Sequence, residues 1–308
     1  MFFHRHAKKE KCDIVLVLGG STSSNFKPII SINQNLLPFF DEEILKYKFS
    51  LNYFKFKILK YFLISTYNKS SGIIFLTNFS YEHIKKYINL KNINYTIIGH
   101  GVDKIFFNSF RTQRKINDYD ENNPYRLLYI SNFEYYKNHQ QVIKIVSKLR
   151  QNNYPITLDL IGGGNKQLIN KIKKIINKEN RNKKYIFFRG IKGKNDILNY
   201  YNESDLFIYA SSCESFGQIL IESMAAKLPI LCSSKSGLPR TAKNGAVYFD
   251  PFDKIDFYNK LKLLIDDREL REKISISAFE EAKKYKWENC SFETFNFIST
   301  IYQKNNNK

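Results

Sequence analysis

Short apolar runs alternate with amphipathic stretches along nearly the whole chain. In the first third, DIVLVL from Asp13, PIISINQ from Pro28, GIIFLT from Gly72 and NYTIIGHG from Asn94 read as strands. Helices are predicted between them, one over 51–66 and one at FSYEHIKKYINL from Phe79, while NLLPFFDEEI reads as a loop entering a helix. The later part repeats the alternation. YRLLYIS from Tyr125, ITLDLIGGG from Ile156, KYIFFRG from Lys184, DLFIYASS from Asp205, LPILCSS from Leu228 and GAVYFDP from Gly245 are predicted strands, with amphipathic helices between them. Three closing helices are predicted over 253–265, 267–285 and 287–303, then a disordered KNNNK tail. Strand and helix in strict turn predict an α/β fold with parallel sheets. The polar, aperiodic stretch from Phe106 to Pro124 reads as an interdomain linker between two domains.

The helix over 51–66 is aromatic and basic. At 100° per residue its apolar positions spread around most of the wheel, which predicts a packed helix with lysines reaching outward rather than a membrane-surface helix. The linker contains Asp118-Tyr119-Asp120, a D-x-D, but in a polar loop and away from any buried strand, so it is read as a loop and no metal site is expected.

The most informative stretch is CESFGQILIESM, Cys213 to Met224. It follows an apolar strand at once, so Glu214 falls in the loop at the strand's carboxyl end and Glu222 inside the next helix. Ser215 is the expected N-cap. The N–H groups of Phe216, Gly217 and Gln218 would then lie ahead of the intrahelical ladder, an arrangement that attracts an anion. The ligand implied has an anionic middle and hydroxyls at both ends; the alternative is that both carboxylates are ordinary surface charges. Gly19, Gly20 and Ser21 form a loop after the first strand where the backbone could approach a ligand closely, or a simple turn. Gly162, Gly163 and Gly164 close another strand and are a weak nucleotide signal alone.

Bulk properties narrow the classes. The chain's 49 basic and 29 acidic residues leave a net charge of +20, but the excess is lysine scattered through an Asn-rich sequence. Nucleic acid is therefore not an expected partner, whereas an anionic membrane surface or acidic ligands remain in view. Cys12, Cys213, Cys232 and Cys290 have no C-x-x-C spacing, which predicts reduced thiols and a cytoplasmic chain. The N-terminus is expected to fray, with His4 and His6 too isolated for a metal site, and no apolar run is long enough to span a bilayer.

LLYISNFEYYKN, ITLDLIGGG, DLFIYASSCESFGQILIESMAAKLPI and GAVYFDP, in this order, resemble the C-terminal domain of retaining glycosyltransferases of family 4, the glycosyl transferases group 1 domain. The resemblance covers about Tyr125 to Tyr302. It implies the GT-B fold, two Rossmann-like parallel-sheet domains facing a cleft, here with residues 1–105, 106–124 as linker, 125–290, and a C-terminal helix in 291–308 returning to the first domain. It implies transfer of a hexosyl unit from a UDP- or GDP-linked sugar to an acceptor hydroxyl, with retention and without metal or other cofactor. The setting implied is polysaccharide or glycoconjugate synthesis, on a glycan or lipid-linked acceptor, with peripheral contact at the inner face of the membrane. In the E-x7-E signature, Glu214 would address the donor sugar and Glu222 the ribose. Lys137 would neutralise the diphosphate, Gly162 to Gly164 would lie by the phosphates, Ile191 and Lys192 would flank the base, and Ser215, Phe216, Gly217, Gln218 and Ile219 would line the donor.

Two positions depart from the family. Asn132 or Ser131 stands where an Arg is usual, and Asn33 with Gln34 where a His often lies near the reacting centre. The first domain is also expected to be incomplete, lacking the family's first strand and Gly-rich loop, as in a truncated or mis-started chain. A non-catalytic sugar-nucleotide-binding module and a sugar-nucleotide epimerase are the alternatives.

Overall fold

The computed structural model describes residues 2–91, 93–107, 112–181 and 183–306. Residues 108–111 of the expected linker and the last two of the expected tail lie outside that range. The chain divides into two compact units. The first comprises Met1–Gly101, Cys213–Phe216 and Tyr285–Lys308, the second Val102–Ser212 and Gly217–Lys284.

In the first unit, helix α1 (Phe2–Lys9) precedes β1 (Val15–Val17) and β2 (Ile29–Asn33). Next come α2 (Asp41–Leu45), α3 (Leu51–Lys69), β3 (Gly72–Phe75), α4 (Asn78–Ile84) and β4 (Asn94–Ile97). The sheet runs β1-β2-β3-β4, all parallel. Every residue of β2 and β3 is buried, as parallel strands covered on both faces require. The N-terminal segment does not fray as expected, because Ala7 is buried with Val15, Val17, Phe26 and Ile29. Helix α12 (Trp287–Asn306) lies so close to β3 that a Cβ on Gly72 would come within 2.9 Å of Phe297. It continues through Lys304–Asn306, where a disordered tail was expected.

The second unit contains β5 (Tyr125–Ile130), α5 (His139–Gln151), β6 (Ile156–Ile161), α6 (Lys166–Glu179), β7 (Ile186–Gly190), α7 (Lys194–Glu203) and β8 (Leu206–Tyr209). It continues through α8 (Gln218–Ala225), β9 (Ile230–Ser233), α9 (Leu238–Ala242), β10 (Val247–Phe249), α10 (Lys254–Asp266) and α11 (Arg268–Ala282). Its parallel sheet is ordered β10-β9-β8-β5-β6-β7. The chain enters at the centre, winds outward to β7, then returns to β8 on the other side of β5. Such a reversal leaves a crevice at the carboxyl ends of β5 and β8. The core is made of residues such as Leu127, Leu158, Phe207 and Leu231, all fully buried; each contributes about 1.5–3 kcal/mol through loss of apolar surface from water.

The polar stretch before β5 belongs to this unit. Arg271, fully buried on α11, donates to the carbonyls of Leu264 at 2.8 Å, of Ile265 and of Arg114, and its guanidinium lies over the Tyr125 ring. Tyr119 donates to Asp205 at 2.7 Å beneath the Arg114 guanidinium. Asp118 accepts from the Lys115 N–H and Asp120 from those of Asn122 and Asn123, so the D-x-D carboxylates shape turns.

Candidate functional site

The loops after β5 and β8 are stitched together at the strand reversal. The Ser212 N–H and hydroxyl both donate to the Tyr136 carbonyl, at 2.8 and 3.0 Å. Asn138, in the left-handed conformation at the start of α5, donates through its side chain to the Ala210 carbonyl at 2.8 Å. Lys137 sits in this knot with only 4% of its surface exposed. Tyr129 donates its hydroxyl to the Lys137 carbonyl at 2.5 Å, which fixes the backbone. The ammonium donates to the Tyr209 hydroxyl at 3.4 Å and lies 5.1 and 5.2 Å from the ring centroids of Tyr136 and Tyr209. Aromatic faces and a phenol oxygen thus offset the desolvation of a buried positive charge. His139 stacks on Phe133 and Tyr129; burial, then the nearby Lys137 charge, lowers its pKa to about 3, so it is neutral packing and no proton carrier.

Helix α8 starts later than the sequence pattern implied. Its N-cap is Gly217, at φ +92, a left-handed conformation that costs most side chains strain; a Cβ there would also meet Leu238 at 2.9 Å. Leu220 and Ile221 donate to the Gly217 carbonyl, so the N–H groups ahead of the ladder are those of Gln218 and Ile219. Ser215 is not the cap.

One turn further on, Glu222 accepts from Tyr201 at 3.3 Å. Burial raises its pKa to about 7 against the restraining hydrogen bonds of Tyr201 and Gln218. Tyr201 is itself pushed well above its ordinary value, by burial and then by the Glu222 charge. Asp103 and Lys194 pair at 2.6 Å close enough to act on Glu222, the lysine lowering its pKa and the aspartate raising it.

The glycine run has two different roles. A Cβ on Gly162 would lie 2.0 Å from the Ser131 carbonyl, and one on Gly164 2.8 Å from the Phe133 nitrogen; both glycines sit at φ +139. These two let residues 131–133 pair with the run, with the Phe133 N–H donating to Gly163 at 2.6 Å. Gly163 instead lies beneath Ile191, whose side chain a Cβ would meet at 2.7 Å. Ile191 is 81% exposed, an apolar lid with an open face. Lys192 lines a different place, a cavity of about 550 Å³ on the sheet face with Arg126, Asp159, Phe187 and Arg189. Asn132 is exposed.

The remaining positions fall in the first unit. Residues Cys213–Phe216 pack there, with the Ser215 hydroxyl donating to the Gln34 carbonyl at 2.8 Å and the Ser215 carbonyl accepting from Thr77 and Ser80 at 2.8 and 3.2 Å. Phe216 packs edge-on against His100 and Tyr285, and a Cβ on Gly99 would come within 2.9 Å of its ring. Glu214 is half-buried within this clamped loop. In the β1 loop, Gly19 and Ser21 are exposed, whereas Gly20 is buried against Leu63 and Tyr67. Asn33 is fully buried and donates to the Tyr67 hydroxyl at 2.8 Å, so it is a core residue at the end of β2.

Sequence reasoning missed Tyr201, Tyr209, Asn138 and the Thr77–Ser80 pair. Tyr201 reaches Glu222 across 21 residues, and the other contacts span 72 or more, separations that local spacing cannot resolve.

Comparisons with known proteins agree on the family. The profile of the family described as glycosyl transferases group 1 matches residues 109–281. The sulfoquinovosyl transferase SQD2 of Arabidopsis thaliana is 33% identical over 106 residues, 32% of this chain and 21% of that protein. The O-antigen chain mannosyltransferase B of Escherichia coli is 28% identical over 112 residues, 36% of this chain and 29% of that protein. The matched segments thus span well under half the length of these curated relatives. The crystal structure of Anabaena HepE in complex with UDP and glucose superposes with a TM-score of 0.69 at 15% identity, over 88% of this chain and 71% of that one. The fold is therefore the two-sheet α/β arrangement of that structure, and the chain belongs to the glycosyl transferases group 1 family.

Proposed function

We propose that this chain is a retaining glycosyltransferase of family 4, moving a hexosyl unit from a UDP- or GDP-linked sugar to an acceptor hydroxyl. The observation that carries the reading is the knot at the strand reversal, where a buried ammonium, Lys137, is held against Tyr209 beside residues 210–212 at the end of β8. A diphosphate suits this chemistry. Lys137 supplies a point charge, and the N–H groups of Gln218 and Ile219 supply the positive end of a helix. Glu222 accepts from the ribose hydroxyls, Ile191 covers the base, and Glu214 addresses the sugar by its place in the E-x7-E signature.

In the reaction, the bond between the sugar's anomeric carbon and the diphosphate oxygen breaks while the acceptor oxygen bonds to the same face of that carbon. The acceptor's proton leaves with the diphosphate oxygen. Such a displacement draws on Lys137 and the α8 terminus for charge stabilisation, and it needs neither a metal nor a protein base. Polysaccharide or glycoconjugate synthesis on a glycan or lipid-linked acceptor, with peripheral membrane contact, completes the reading. The mannosyltransferase similarity supports the first part.

The test is release of nucleoside diphosphate from a panel of UDP- and GDP-sugars. Lys137→Ala is expected to lower the turnover rate by about 100-fold or more while the protein remains folded. Silence of the folded wild-type chain on every donor, with and without acceptor glycans, would overturn the enzymatic reading. A second reading, a binding module without turnover, is favoured by Asn132, a neutral residue at a position where a guanidinium would clamp the diphosphate. It predicts nucleotide binding that depends on Glu222 and no release. Conversion of a donor into its sugar isomer would instead identify an epimerase.

A further inference from the structure

Helix α3 was expected to bury its apolar residues and turn its lysines outward; Lys55, Lys57 and Lys69 are exposed as expected, but most of the apolar residues are not buried. Only Leu63, Thr66 and Tyr67 are buried, on the side that packs toward β2 and the β1 loop. The opposite side is apolar and open. Leu51 is 77% exposed, Phe54 63%, Ile58 57% and Tyr61 71%, with Phe62 beside them and Phe49 just before the helix at 99%. These positions fall within a third of the helical circumference and run along a helix about 28 Å long. A helix apolar on both sides is either enclosed or lies against a second apolar phase.

Charge identifies that phase. Residues 44–81 contain six lysines and no aspartate or glutamate. Lys46, Lys57 and Lys60 pair with Glu43 and Asp41. Lys48, Lys55 and Lys69 have no carboxylate against them among the described residues; by helical spacing Lys55 borders the apolar face, while Lys69 donates to the Asn25 side chain at 3.4 Å. We propose that the outward face of α3 docks this chain on an anionic bilayer, with Leu51, Phe54, Ile58 and Phe62 in the acyl boundary and Lys48 and Lys55 at the headgroups. Long lysine stems suit that depth, since they lie along apolar surface while the ammonium stays wet. A second copy of the chain fits less well, because a two-fold contact would set this lysine-rich face against itself. The inference extends the peripheral-contact part of the function proposed above and is independent of the donor site, so its test uses no sugar donor.

The test is flotation with vesicles of phosphatidylcholine alone and of equimolar phosphatidylcholine and phosphatidylglycerol. The wild-type chain is expected to partition at least about tenfold more strongly onto the anionic vesicles and to be released by salt. Lys48→Glu with Lys55→Glu is expected to weaken partitioning by about 30-fold. Phe54→Ser with Ile58→Ser should weaken it at least about tenfold with the melting temperature unchanged, because both side chains are already exposed. Absence of wild-type binding to anionic vesicles, or equal binding by the variants, would overturn the proposal. So would a concentration-dependent dimer abolished by Phe54→Ser with Ile58→Ser, which would assign the face to self-association. Nucleotide binding retained by the variants would separate this outcome from that of the donor site.

Discussion

Glu222 is held in a state that a purely structural carboxylate would avoid. Burial raises its pKa from 4.5 to about 7, although Tyr201 and Gln218 both donate to it. The unfolded chain releases this proton near 4.5, and the folded chain near 7. Between those values the folded state binds more protons, so this group's contribution to stability falls as pH rises through the window and is level above it. Glu222→Gln is therefore expected to melt higher than the wild-type chain at about pH 8, by an amount of order 3 kcal/mol in unfolding free energy. The difference should vanish by about pH 4, a trend that thermal melts across the range would check. A pH-independent difference would mean that the carboxyl is not desolvated as described. Retaining a destabilising charge at this point is intelligible if a ligand's hydroxyls complete its hydrogen bonds.

At the scale of elements, the glycine run separates two roles that the sequence could not. Gly162→Ala and Gly164→Ala each force a side chain onto backbone at φ +139 and are expected to destabilise the second unit by about 2–4 kcal/mol. Gly163→Ala pushes only against the end of the Ile191 side chain, so it is expected to cost under about 1 kcal/mol while lowering nucleotide affinity. Denaturant melts of the three variants decide the matter; equal losses would refute the distinction. Alternation of apolar and amphipathic segments made all ten described strands legible, because a buried parallel strand is a short continuous apolar run whatever surrounds it. The start of α8 was less legible. Ser215 has the chemistry of a cap, but its hydroxyl and carbonyl are taken by Gln34, Thr77 and Ser80, partners far away in sequence, and a left-handed Gly217 serves instead. The burial of Asn33 was illegible for a similar reason, since nothing local reveals that Tyr67 covers it.

For the whole molecule, local pattern said that two parallel sheets exist but not which polar residues the folding would consume. The stretch read as a linker is fastened to the second unit by Arg271, whose guanidinium is fully buried. The outward face of α3 was hidden because periodicity reports which residues are apolar, not how many neighbours arrive to cover them. The net charge of +20, diffuse over the chain, acquires a local meaning in the acid-free segment around that helix. What unites these scales is the claim that the crevice beside β5 and β8 receives a nucleoside diphosphate. Calorimetric titration of UDP and GDP into the wild-type chain and into Glu222→Gln, at about pH 8 where the carboxylate is ionised, tests it most directly. The account predicts saturable binding of one of the two nucleotides by the wild-type chain, weakened at least about tenfold in a variant that melts no lower. Failure of the folded wild-type chain to bind either nucleotide, or equal binding by Glu222→Gln, would contradict it.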